Sequence, residues 1–169
     1  MKFEQAVEVM LFHEGGFVDN PKDPGGVTNW GISKRAYPEL DIPKLTKEDA
    51  VAIYRRDYWD KNKIELLPEC LRLLVFDAAI NQGGDFAIAA LQSAIGVKAD
   101  GKLGQITIDK LATLNLGDVI RKYVYFRWRR YAEHRAFATF AGGWGKRLLD
   151  VSLECTLRSP PQVPSQILG

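Results

Sequence analysis

Residues His13–Ser33, HEGGFVDNPKDPGGVTNWGIS, hold five glycines and two prolines in 21 positions. Inside a helix glycine costs about 1 kcal/mol and proline about 3 kcal/mol relative to alanine, so no helix runs through this stretch. On both sides the chain is patterned for helix. Upstream, Phe3, Ala6, Val7, Met10 and Leu11 recur at helical spacing with Glu4, Gln5 and Glu8 between them. That spacing predicts a helix from about Lys2 to Glu14, stopped by Gly15 and Gly16. The fold must therefore be a set of helices built around one irregular, polar, glycine-rich segment.

Downstream, ISKRAYPE reads as a short helix ending near Pro38. LTKEDAVAIYRRDYWD opens with Thr46 and has Asp49 three residues on, a variant of the capping box. CLRLLVFDAAINQGG reads as a buried helix closed by Gly83 and Gly84, and FAIAALQSAIG as one ended by Gly96. KADGKLG is a turn and QITIDKLATL another helix. The stretch from Leu116 to Gly143 predicts one helix of six or seven turns, and GKRLLDVSLECTL the last. RSPPQVPSQILG cannot continue a helix and reads as a tail. Strand signals are poor, and no internal repeat is visible. The expected class is all-α, with at most a very short β-hairpin.

The chain has 169 residues, the size of one compact domain with a real core. Hydrophobic residues make up 46% and charged residues 26%, which excludes a disordered chain. The net charge of +2 is too small to argue nucleic-acid binding. Between Arg121 and Arg147, however, eight basic residues stand against one acid, Glu133. This segment is either a positive patch for an anionic partner such as a cell envelope, or a solvated face. Cys70 and Cys155 have no metal or redox spacing and read as buried, reduced thiols. With only His13 and His134 and no clustered ligands, no metal site is expected. The first residues lack the apolar core of a secretory signal, and no apolar run reaches the roughly 18 residues of a membrane span.

Glu14 carries the strongest chemical signal. It lies four residues after Met10 and seven after Val7, so the helical period turns it toward the apolar face. Partial desolvation there raises a carboxyl pKa. The negative end of the helix dipole opposes an anion by roughly 0.3–1 kcal/mol as well. A carboxyl held protonated near neutral pH is what a general acid needs. The alternative is a Glu14 that points outward over the double glycine. The following segment adds a second carboxylate, Asp23, nine residues on. Asp19 is its rival. It also adds a hydroxyl, Thr28, and an aromatic plate for a sugar face, Trp30. Gly25 and Gly26 leave room for a bulky ligand against the backbone. Acid, second carboxylate, hydroxyl and aromatic make up the inventory of a glycosidase.

Several other residues have two readings. Asn81 and Gln82 either cap their helix or hydrogen-bond a sugar N-acetyl group. Asp77, amid Val75, Phe76, Ala78 and Ala79, is either a buried brace or exposed. His13 reads as a helix-end residue rather than a ligand. Trp144 and Tyr123 read as core rather than as sugar platforms.

HEGG followed by DPGGVTNWGIS resembles the N-terminal signature of the glycoside hydrolase 108 muramidases. FDAAINQG, residues 76–83, resembles that family's mid-chain helix motif. LQSAIGVKADGKLGQITI resembles the small peptidoglycan-binding module that commonly follows, and FAGGWGKRL the C-terminal segment. The resemblance implies a lysozyme-like helical fold and cleavage of the glycan of peptidoglycan, with Glu14 as the catalytic acid. The Glu–Asp–Thr order is also similar to that of a second family of phage lysozymes, with the same nine-residue spacing to the aspartate. There the threonine falls one residue later.

Together these readings predict an N-acetylmuramidase of the endolysin kind, cutting the β-1,4 bond between N-acetylmuramic acid and N-acetylglucosamine without a cofactor. The catalytic residues are Glu14, Asp23 and Thr28, and Trp30, Asn81 and Gln82 bind substrate. Residues 1–85 form a muramidase-like half, 86–158 a peptidoglycan-binding-like half and 159–169 the tail. The partner is a peptidoglycan strand, met by a monomer that neither binds nucleic acid nor inserts stably in a membrane. Synthesis in the host cytoplasm with holin-type release toward the periplasm is implied by the family. The rival functions are a lytic transglycosylase and a non-catalytic peptidoglycan-binding protein.

Overall fold

The computed structural model describes residues 1–14, 16–18 and 26–157, with Glu14 and Leu157 described by backbone alone. Asp19, Asp23, Gly25 and the tail 159–169 lie outside the described residues. Among the described residues, seven α-helices and one hairpin of two-residue strands follow in the order α1 Phe3–Glu14, β1 Thr28–Asn29, β2 Ile32–Ser33, α2 Lys47–Tyr54, α3 Glu69–Gln82, α4 Gly84–Ile95, α5 Gln105–Ala112, α6 Leu116–Ala132 and α7 Phe137–Leu157. The class is all-α with a very short hairpin.

Helix α3 is the centre. Leu71 and every residue from Leu73 to Ala79 are buried, so it has no polar face to give to solvent. Helices α1, α4, α6 and α7 pack around it. Phe3 of α1 makes edge contacts with Trp59 and Phe76, ring centres 5.4 and 6.0 Å apart. Trp59 sits in a wide π-helical turn, Arg55–Asp60, that continues α2. The Thr46–Asp49 capping box that starts α2 is present in both directions.

The hairpin forms because Trp30 and Gly31 both take positive φ, +53° and +76°, as a two-residue primed turn requires. Trp30 is an unusual residue in that conformation. It is held from both ends: its indole N–H donates to the Leu45 carbonyl at 3.2 Å, and the Tyr54 hydroxyl donates to its own carbonyl at 3.0 Å. Buried Asn29 donates to the carbonyls of Ile42 and Leu45, locking the hairpin to the 3-10 turn Ile42–Lys44.

Three expectations are corrected. ISKRAYPE forms turns rather than a helix. The amides of Ala36 and Tyr37 both donate to the Ser33 carbonyl. The long helix expected from Leu116 breaks after Ala132, where the Ala136 amide is caught by His134 Nδ1 at 3.2 Å. The segment FATFAGG then opens the last helix, and Gly142 and Gly143 lie inside it. Packing overrides propensity there: Trp144 stacks on Tyr131 at 4.9 Å, and Leu148, Val151 and Cys155 are buried. Neither cysteine is in a disulfide, but Cys70 is only half-buried.

Candidate active site

Helix α1 ends at Glu14, as its pattern requires, and four residues later Val18 pairs with Thr28 through two backbone hydrogen bonds of 2.8 and 2.9 Å. That pairing brings β1 back to the end of α1. The Thr28 hydroxyl donates to the Gly26 carbonyl at 3.3 Å. Trp30 is half-buried against the core, with its indole N–H already engaged.

Beneath this end of α1 lies a buried ionic cluster. Asp77 and Arg127 are both fully buried. Arg127 Nη2 donates to one Asp77 oxygen at 2.6 Å, and Arg147 Nε donates to the other at 2.7 Å. Burial alone would push the Asp77 carboxyl up. The fields and hydrogen bonds of the two guanidinium groups outweigh it and hold that carboxyl below the usual carboxylate range. Arg127 is satisfied further by the carbonyl of Leu74 and the hydroxyl of Tyr131. Arg147 reaches α1 itself, with Nη2 3.7 Å from Met10 Sδ, one helical turn before Glu14.

The amides of Asn81 and Gln82 are drawn into the same cluster. Asn81 Nδ2 donates to the Asp77 carbonyl at 2.8 Å and to its carboxylate at 3.2 Å. Gln82 exchanges two bonds with Arg127, accepting from Nε at 2.8 Å and donating to the backbone carbonyl at 3.1 Å. Both amides thus have bracing partners at the end of α3. Of the two readings of Asp77, the buried brace is the one observed.

The eight basic residues between Arg121 and Arg147 do not all face solvent. Arg127 and Arg147 point inward onto Asp77. Arg121, Arg129 and Lys146 pair with Asp118, Glu133 and Asp150 along their own helices. The burial of Arg127 had a signal in the sequence: Tyr123, Arg127 and Tyr131 recur every four residues on the apolar face of α6. A cation on such a stripe demands a buried carboxylate. Asn29 had no comparable signal.

Tyr123 is fully buried, and its hydroxyl donates to the Ala87 carbonyl at 3.1 Å. Trp144 is ringed by Tyr131, His134 and Phe140. His13 sits at the end of α1 with its ring against Phe12. Among the described residues, no group of three or more His, Cys, Asp or Glu side chains is placed to hold a metal ion. Nor is any helix among them long and apolar enough to cross a membrane.

The family model of glycosyl hydrolase 108 matches residues 7–83, from the buried face of α1 to the end of α3. No curated protein matches the sequence. The solved structure of SagA from Brucella abortus superposes with a TM-score of 0.86 at 32% identity, covering 95% of this chain and 97% of that one. The fold is the lysozyme-like helical one. With a family match over the glutamate-bearing segment and a related structure over nearly the whole length, the chain belongs to the glycosyl hydrolase 108 family and is a glycoside hydrolase.

Proposed function

We propose that the protein is an N-acetylmuramidase that hydrolyses the β-1,4 bond between N-acetylmuramic acid and N-acetylglucosamine in peptidoglycan. The observation that carries this reading is the Val18–Thr28 pairing. Glu14 and Val18 are four residues apart, so their backbones are separated by at most about 14 Å. Val18 and Thr28, which flank the segment bearing Asp19 and Asp23, are therefore paired to each other within that reach of the end of α1. In this reading Glu14 protonates the glycosidic oxygen, and Asp23 with Thr28 orients water or steadies the oxocarbenium-like charge. Trp30, held rigid by Leu45 and Tyr54, offers a face to a sugar ring. The protein acts as a monomeric endolysin on periplasmic wall after release from the cytoplasm. Residues 86–158 contribute to holding the wall.

Product analysis tests the reaction. Digested sacculi should yield fragments ending in a reducing N-acetylmuramic acid, seen by mass spectrometry after borohydride reduction. Fragments ending in 1,6-anhydromuramic acid would make the protein a lytic transglycosylase, and reducing N-acetylglucosamine ends would make it a glucosaminidase.

The second carboxylate is tested by a pair of substitutions. Asp23→Asn should lower kcat at least tenfold more than Asp19→Asn, at equal thermal stability. The reverse order in initial rates of sacculus solubilisation would transfer the role to Asp19.

A further inference from the structure

At the junction of α3 and α4 a shallow cavity of about 380 Å³ opens beside Gln82. The Gly83–Gly84 link lines it, and there Asn62 presses so closely that a Cβ on Gly84 would clash with its side-chain amide. Two cations face it from different elements, Lys61 after the π-helical turn and Arg130 on α6. Neither is within ion-pair distance of a carboxylate among the described residues. Arg130 is instead laid over the Phe86 ring, 5.0 Å from its centre, which fixes the guanidinium at the cavity wall. Asp85 is the single acid of the lining.

The position connects this cavity to the glutamate-bearing end of the molecule. Gln82 lines it and is bonded to Arg127. Arg127 is bonded to Asp77, Asp77 to Arg147, and Arg147 touches Met10 of α1. Helix ends α1 and α3 thus lie at one end of the fold, joined by that chain of contacts.

A ligand suited to this lining carries more carboxylates than ammonium groups. The bare glycan has no ammonium group and at most the single lactyl carboxylate of each muramic acid. The peptide borne on muramic acid has both: several carboxylates and, where a diamino acid is present, one ammonium. Resting on the muramidase reading, we propose that the Lys61–Arg130 cavity is a subsite for the stem peptide of peptidoglycan. Lys61 and Arg130 meet its carboxylates, and Asp85 meets its ammonium group.

The test is made first without catalysis. The free tripeptide L-Ala–γ-D-Glu–meso-diaminopimelate, titrated into the labelled full-length protein, should shift the side-chain amide signals of Asn62 and Gln82. Lys61→Gln/Arg130→Gln should weaken that binding about fivefold or more, the sum of two exposed charge pairs. Lys2→Gln/Lys110→Gln, which removes the same charge elsewhere, should leave the titration as it is. Absence of the shifts overturns the proposal, as does their persistence in the first variant. Equal weakening in both variants does so too, since it would mean general attraction. Free N-acetylmuramic acid is the last arm. If its lactyl carboxylate alone shifts the same amides, the subsite reads the sugar and not the peptide. In turnover, the wild type should show a lower KM on peptide-bearing strands than on amidase-stripped ones, and Lys61→Gln/Arg130→Gln should lose that preference. A protein that binds the tripeptide but cuts neither strand would sink the muramidase reading and leave the subsite standing.

Discussion

Glu14→Gln should lower sacculus hydrolysis by two to four orders of magnitude, the contribution of a positioned general acid. The fold should survive, because glutamine keeps the shape and α1 is anchored by the buried Phe3, Ala6, Val7, Met10 and Leu11. Stability should in fact rise by a few tenths of a kcal/mol, up to about 1, since the substitution removes a negative charge from the negative end of the helix dipole. The combination separates a catalytic from a structural role. A carboxylate kept for the fold would lose stability on neutralisation, whereas one kept for chemistry loses rate and gains stability. Circular-dichroism melting and initial rates on the same preparation measure both. Near-wild-type hydrolysis by a folded Glu14→Gln protein would remove Glu14 from the mechanism.

The largest effect on stability is expected at Asp77. Asp77→Asn leaves Arg127 fully buried without its carboxylate and takes the same carboxylate from the mostly buried Arg147. Breaking one side of a buried ion pair typically costs about 3–5 kcal/mol, or roughly a 10 °C fall in Tm for a chain of this size. The pH dependence follows from the direction of the shift. Asp77 has a carboxyl pKa below its unfolded value of about 3.9. Its contribution is therefore complete above about pH 5 and is lost as pH falls through the lower, folded value. The gap in Tm between wild type and Asp77→Asn should be constant near neutrality and close only in strong acid. Equal Tm values at pH 7 would show that the two arginines do not depend on this carboxylate.

The helical class and most element boundaries were legible because they follow from local rules. Glycine ends α4 at Gly96 in the left-handed conformation, and Thr46 caps α2. The break after Ala132 was not legible. Nothing local at Glu133–Ala136 is a stronger helix breaker than Gly142–Gly143; the fold chooses the first because only then can Trp144 return to Tyr131. The eight-to-one charge run was misleading for a related reason. A count of charges along the chain does not say which side of a helix they occupy, and Arg127 belongs to the stripe of Tyr123 and Tyr131. Glu14 stood out in the sequence as an odd choice for a helix end, and Thr28 and Trp30 as the hydroxyl and the aromatic of the segment that follows it. The return of Thr28 to Val18 was not legible, because it depends on backbone hydrogen bonds rather than on side-chain pattern.

The Asp77 cluster also dictates the timing of folding during synthesis. Asp77 is 50 residues ahead of Arg127 and 70 ahead of Arg147. At about 5–20 residues per second, the second guanidinium emerges some 4–14 s after the carboxylate it must meet. Until Arg127 is made α3 holds a charge with no counterion among the helices already made, and burying it alone is prohibitive. The nascent chain therefore cannot close its centre one helix at a time. It waits for Arg127 of α6 and is completed by Arg147 of α7, so an amino-terminal fragment released early would carry the glutamate-bearing helix but no finished site.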